Sequence, residues 1–222
     1  MKRVLCIGDS LGLPRTEMAY ENTWYSILTK RLPNFEYIPR FQRAMTTNFL
    51  VKDNSADYLE NFKPNILIMQ IGIVDCAPRY LPESSIVVKI INRLPVGLNN
   101  LFWKFWKKTK KRTPKYANVL PPNFRKNLFD FFTRCNKTGV EKVVVIKIAM
   151  PGTQMVNRNS EIINQVNHYN SIYHSLAEEF ELITLIDPLA SGKDDSFIED
   201  GYHLSGRGAQ LITRDLIQVL SI

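Results

Sequence analysis

Arg3-Val4-Leu5-Cys6-Ile7-Gly8-Asp9-Ser10-Leu11 is the stretch on which the fold turns. Its apolar run is compact, stops at a glycine and gives way to Asp9-Ser10, the pattern of a short strand buried on both faces with a loop at its carboxyl end. Four more runs follow. Residues 35–41 form a weaker, alternating one. Residues 65–71 (Asn-Ile-Leu-Ile-Met-Gln-Ile) lie between Pro64 and Gly72, residues 141–148 (Glu-Lys-Val-Val-Val-Ile-Lys-Ile) follow Gly139, and residues 182–186 end at Asp187-Pro188. All five are expected to be covered on both faces. Between them the apolar residues take helical spacing at 23–28, in a short stretch at 53–62, at 123–137, at 159–180 and at 208–220. In the third of these Phe124, Leu128, Phe131 and Phe132 share a side, and Gly139 is placed to terminate the helix. In the fourth, Ile162, Ile163, Val166, Tyr169, Tyr173 and Leu176 form a stripe. Strands alternating with helices build parallel units, so the prediction is α/β: a doubly wound sheet with helices on both faces.

Residues of about 80–122 break the alternation. They hold Pro82, Pro95, Pro114, Pro121 and Pro122, and the run 102–112, Phe102-Trp103-Lys104-Phe105-Trp106-Lys107-Lys108-Thr109-Lys110-Lys111-Arg112. This reads as an irregular, partly helical insertion near the carboxyl edge of the sheet, within a single domain spanning 1–222. A composition of 45% hydrophobic and 23% charged residues excludes intrinsic disorder. Cys6, Cys76 and Cys135 are odd in number and widely spaced, which disfavours a disulfide framework or structural zinc and points to a reducing compartment. The apolar run 4–7 is too short for a signal-peptide core, and no stretch reaches the roughly 18 apolar residues of a spanning helix. A cytoplasmic protein is therefore expected. The formal charge of +8 suggests an acidic partner. The run 102–112 has three readings: aromatics packed on the body, contact with an anionic membrane surface, and nucleic acid, the last disfavoured because no recognition motif accompanies the charge.

In open α/β sheets ligands bind beyond the carboxyl ends of the strands. Three features fall there: Gly8-Asp9-Ser10 after the first strand, Gly72-Ile73-Val74-Asp75 after the third, and Asp200-Gly201-Tyr202-His203 a short loop after the fifth. A hydroxyl, an imidazole and a carboxylate on converging loops are the parts of a serine nucleophile system. The serine needs an adjacent base, and the base needs a carboxylate to fix its tautomer. A tight Asp-x-x-His turn can return Asp200 to one ring nitrogen of His203 and leave the other facing Ser10. Leu204-Ser205-Gly206 then begins the last helix. No Gly-x-Ser-x-Gly elbow occurs, which disfavours the common α/β-hydrolase arrangement.

Gly8-Asp9-Ser10-Leu11 after an N-terminal strand, with Asp200-x-x-His203 before a C-terminal helix, resembles the SGNH (GDSL-type) hydrolases over nearly the whole chain in motif order. The resemblance implies a flavodoxin-like three-layer α/β/α sandwich with five parallel strands, an ester-cleaving activity and no metal or organic cofactor. Residue by residue it implies Ser10 as nucleophile, His203 as general base, Asp200 as its orienting carboxylate, and the Ser10 N–H as oxyanion donor. Asp9 would brace the loop. The chain departs from the family pattern twice. Val74 stands where the third motif has an asparagine that donates to the oxyanion. Arg43-Ala44-Met45 has no glycine where the second motif supplies an N–H, which leaves the Ala44 N–H in that role. Loss of one oxyanion donor costs on the order of a hundred- to thousandfold in turnover. Arg79 is the candidate replacement, and Arg15 a second, which could instead bind an acidic group of the substrate; Gly72 and Asp75 complete the candidate set, with Asp75 expected to be structural and to bond loop N–H groups.

His168 and His174 are expected on or in the long helix, Cys76 in packing, and Asp194 and Asp195 as solvated loop charges without a third metal ligand. The expected function is removal of an acyl group, on the resemblance an O-acetyl group, from a carbohydrate or related small-molecule or glycan ester through an acyl-enzyme. The alternatives are an O-acyltransferase in polysaccharide biosynthesis and a catalytically weakened glycan-binding protein on the same fold.

Overall fold

The computed structural model describes residues 1–79, 86–91, 93–95, 97–98, 101 and 116–221. Five strands, β1 (Arg3–Gly8), β2 (Glu36–Phe41), β3 (Ile66–Gln70), β4 (Lys142–Ile146) and β5 (Ile183–Ile186), form one parallel sheet in the order β2-β1-β3-β4-β5. Val4 lies opposite Tyr37 on one side and Ile66 on the other, and Ile68 lies opposite Val144. The chain steps outward from β1 to β2 and then returns to the other flank of β1, so the carboxyl ends of β1 and β3 border the switch point where a crevice opens.

Seven helices surround the sheet among the described residues: α1 (Trp24–Arg31), α2 (Ile73–Cys76), α3 (Ile86–Ile91), α4 (Pro121–Lys137), α5 (Thr153–Arg158), α6 (Glu161–Glu179) and α7 (Gly206–Leu220). α1 packs on α7 and α4 on α6, which gives a three-layer α/β/α sandwich. The side chains of Thr23 and Ser205 cap α1 and α7 by accepting the N–H groups of Ser26 and Gly208 at 3.2 Å. α4 ends as read, with Gly139 at φ +79°. No helix among the described residues is long and apolar enough to cross a membrane.

Three expectations need correction. The central strands β1, β3 and β4 are buried almost throughout, but β2 and β5, at the sheet's edges, are only partly covered. Residues 53–62 are not an α-helix; the chain makes 3-10 turns at Thr47–Val51 and Asp53–Tyr58. Arg134 on α4 explains this. Its guanidinium takes the Leu50 and Ser55 carbonyls and the Ser55 hydroxyl, and forks onto Glu60 at 2.8 and 2.7 Å, so the Ser55 carbonyl, which a helix over 53–62 would use, faces an outside donor. The long helix begins at Glu161, because Asn159 is extended (φ −166°) and turns its side-chain oxygen to the Glu161 N–H, leaving α5 as a separate turn of helix.

Arg79 and Tyr116 exchange backbone hydrogen bonds at 2.8 and 3.0 Å, which brings the two ends of the intervening segment together. The run 102–112 lies outside the described residues, as does most of the stretch expected as an insertion.

Candidate active site

Ser10 opens a 3-10 turn (Ser10–Gly12) at the carboxyl end of β1. The preceding Asp9 is fully buried, and its Oδ1 accepts the Leu11 N–H at 2.9 Å, which turns the chain so that Ser10 stands at the rim. Gly12 is needed here, since a Cβ would lie 2.5 Å from the Phe41 ring. Across the crevice, the loop before α7 is folded back by reciprocal contacts. Ile198 donates to the His203 carbonyl, Phe197 bridges Leu204, and Gly201 takes φ +79° where a Cβ would meet the Met155 nitrogen at 2.7 Å. These place His203, 4% exposed, over Ser10.

Ser10 Oγ lies 3.1 Å from His203 Nε2, and His203 Nδ1 lies 2.5 Å from Asp200 Oδ2. The other Asp200 oxygen accepts the N–H groups of His203 (2.9 Å) and Tyr202 (3.1 Å). Burial works to raise the Asp200 carboxyl, but these donations outweigh it and hold the group below its ordinary value. The carboxylate therefore keeps the proton of the neutral ring on Nδ1 and leaves the Nε2 lone pair toward Ser10. Burial lowers the imidazole's pKa, Asp200 pulls it up, and Arg15 and Arg43 push it down again; the net shift is downward, so the ring is neutral and basic near neutral pH. The Tyr202 ring lies against the imidazole with centroids 3.9 Å apart. The arrangement can take a proton from Ser10 and hold the resulting charge.

The remaining candidates separate. Arg15 reaches the centre: its Nη2 contacts His203 Nε2, the same nitrogen that Ser10 addresses. Ala44 lies just past β2, exposed, at φ +58°, a left-handed backbone that an alanine rarely takes and a glycine takes freely. Gly72 precedes α2 at φ +128°, with Ile148 packed where its Cβ would be. Asp75, a member of the candidate set expected to bond loop N–H groups, is a buried brace. Its Oδ1 accepts the Thr47 N–H (2.9 Å) and hydroxyl (2.7 Å), which ties the side chain to the loop after β2. Burial raises both Asp75 and Asp9 to about 7, and each has one oxygen without a hydrogen-bond partner. Arg79 is exposed and its backbone serves the bridge to Tyr116. Val74 packs against the core, and the Asn118 side chain donates to its carbonyl at 2.9 Å.

His168 and His174 are exposed on α6. Cys76 is fully buried and burial pushes its thiol up, which suits packing. Asp194 is not merely solvated: it accepts the Thr153 N–H at 2.6 Å, at the start of α5. The described residues hold no cluster of three or more His, Cys, Asp or Glu that could bind a metal ion. The sequence reading missed Thr47 and Asn118, whose only signal is packing. It also missed Tyr202, which its place beside His203 could have flagged.

No family model and no curated protein matches the sequence. Solved structures do match the fold. They include a lipase/acylhydrolase from Enterococcus faecalis (15% identical, 99% of this chain and 95% of that one, TM-score 0.66). A GDSL-like lipase from Bacteroides thetaiotaomicron (14%, 99% and 88%, 0.65) and a variant of an acetyl-xylooligosaccharide esterase from Geobacillus (15%, 100% and 94%, 0.66) also match. The chain has the flavodoxin-like fold of the GDSL/SGNH hydrolases; at these identities the likeness speaks to architecture alone.

Proposed function

We propose that this protein is a serine-dependent ester hydrolase. The observation that carries the reading is the continuous relay from Ser10 Oγ through His203 to Asp200, at 3.1 and 2.5 Å, at the switch point of the sheet. His203 Nε2 takes the Ser10 proton as Oγ attacks the acyl carbon, Asp200 steadies the imidazolium, and the same ring returns the proton to the leaving alcohol. Water then repeats the attack on the acyl-enzyme. The Ser10 N–H and the Ala44 N–H are the oxyanion donors of this reading. The glycine-like backbone at Ala44 supports the second assignment, because conformation rather than side chain presents an N–H. Val74 supplies no donor, so modest turnover is expected.

The substrate class is an O-acyl, in the first instance O-acetyl, ester of a carbohydrate, a reading supported by a neighbour titled an acetyl-xylooligosaccharide esterase. The three buried, unpaired thiols support a cytoplasmic site of action. The run 102–112 is the contact with an anionic membrane surface. The exposure of Ile86, Ile90, Leu98 and Leu101, which precede it, supports this. Loss of salt-sensitive binding to phosphatidylglycerol vesicles on deleting 102–112 is the expected result; equal binding without the segment removes that contact.

The activity is tested with p-nitrophenyl acetate and a fluorophosphonate probe. Wild type should turn over the ester and label at one site, and both signals should vanish in Ser10→Ala and His203→Ala. A folded protein that neither labels nor hydrolyses is instead a binding protein on this scaffold.

A further inference from the structure

Arg15 occupies a position that a bare triad would not tolerate. In the tautomer that Asp200 enforces, His203 Nε2 has one lone pair, and two donors meet it: the Ser10 hydroxyl and Arg15 Nη2. A guanidinium has only N–H donors and keeps its charge, so it cannot yield to Ser10 by changing protonation. When His203 takes the serine proton it also becomes a cation in contact with a cation. In this position Arg15 opposes catalysis twice, by occupying the base and by repelling its charged form.

The rest of the side chain shows what would move it. The turn that carries it is closed by reciprocal Arg15–Met18 backbone bonds at 2.9 and 3.1 Å, with Met18 buried, so the guanidinium pivots from a fixed base. Arg15 Nε is buried and has no hydrogen-bond partner, a donor beside the Nη2 that contacts His203 with nothing to donate to. Nε and Nη2 form one edge of the guanidinium, the edge that grips a carboxylate or phosphate with two parallel bonds. An anion on that edge satisfies Nε and draws Nη2 off His203 in the same movement. Two further cations reinforce the bias: Arg43 acts on His203, and Arg158 reaches the Asp200 carbonyl at 3.5 Å.

We propose that Arg15 is an anion-operated latch on the general base, and that the substrate is an ester that also carries a carboxylate or phosphate close to the scissile bond. The inference rests on the hydrolase reading and narrows it, from O-acylated carbohydrates to acidic ones. With a neutral ester the latch stays on His203 and turnover is low. An acidic ester opens it and is oriented by the same fork.

The test compares wild type, Arg15→Ala and Arg15→Lys on three esters: neutral p-nitrophenyl acetate, mono-p-nitrophenyl succinate with its acid on the acyl side, and 4-acetoxybenzoate with its acid on the alcohol side. Arg15→Ala should raise kcat/KM for the neutral ester and lower it for an acidic one. The acidic-to-neutral preference should fall by on the order of tenfold or more. Arg15→Lys, which keeps the charge without the fork, should not restore the preference, and equal melting temperatures show the variants folded. Whichever acidic ester loses more tells which side of the bond the anion occupies. A preference unchanged by Arg15→Ala overturns the latch and leaves the hydrolase reading intact. Absence of both turnover and Ser10 labelling in every variant overturns both.

Discussion

Replacing Asp75 by Asn should change how folding stability depends on pH. Asp75 is fully buried on α2, with Thr47 donating twice to Oδ1 and no partner on Oδ2. Burial raises its carboxyl from 3.8 to about 7 in spite of the Thr47 bonds. A raised acid holds its proton in the folded state where the unfolded chain has already released it. The contribution to stability is therefore full below about pH 4 and is lost as pH climbs through the folded value near 7. Over those three or so units the loss is on the order of 4 kcal/mol, a factor of about ten in the folding equilibrium for each pH unit. Asparagine keeps the oxygen that Thr47 needs and removes the titration. Urea unfolding followed by far-UV circular dichroism at pH 5, 6, 7 and 8 reads the difference. The stability of wild type relative to Asp75→Asn should fall steadily from pH 5 to about 7 and then level off. Asp9, raised partly by Asp75, titrates somewhat lower in the variant, which adds to the relative fall. A pH-independent difference between the two proteins would refute the reasoning. So would a difference that grows with pH, since the Thr47 bonds would then be holding an ionised carboxylate.

Four more outcomes can be checked directly. The acidic limb of kcat/KM for p-nitrophenyl acetate should lie below pH 6.5, because His203 must be neutral to act and its pKa is lowered, chiefly by burial; a limb above 6.5 would contradict this. Asp200→Asn should cut kcat on the order of a thousandfold, since the tautomer is no longer fixed, while kcat/KM measured alongside should fall in step. Ala44→Gly should raise Tm by about 2 °C by relieving the left-handed strain, up to about 1 kcal/mol, with activity kept. Arg134→Met should destabilise by roughly 3 kcal/mol in urea melts, as it strands the Leu50 and Ser55 carbonyls and unpairs Glu60.

Much of this was legible in the chain because the signals are local. Strands that bury both faces read as unbroken apolar runs, and Val4–Ile7, Ile66–Met69 and Val143–Ile146 are such runs. A carboxylate and an imidazole three residues apart can meet within one turn, so the Asp200–His203 pair is nearly a property of the sequence. The missed features depend on partners far along the chain. Residues 53–62 read as a short helix, but Arg134, about eighty positions away, claims the Ser55 carbonyl. Asp75 reads as a brace for loop N–H groups, but nothing in the spacing names its partner, Thr47, 28 positions away.

The order of buried strands and the chemistry available at their ends were determined by the sequence alone, because hydrophobic periodicity and turn residues act between near neighbours. Which strand borders which, and so that Ser10 faces a histidine 193 positions later, was decided only when the sheet closed. The same closure set Arg15 on the shared nitrogen. A hydrogen bond's partner is chosen by distance in space, and spacing along a chain carries that information only over a few residues.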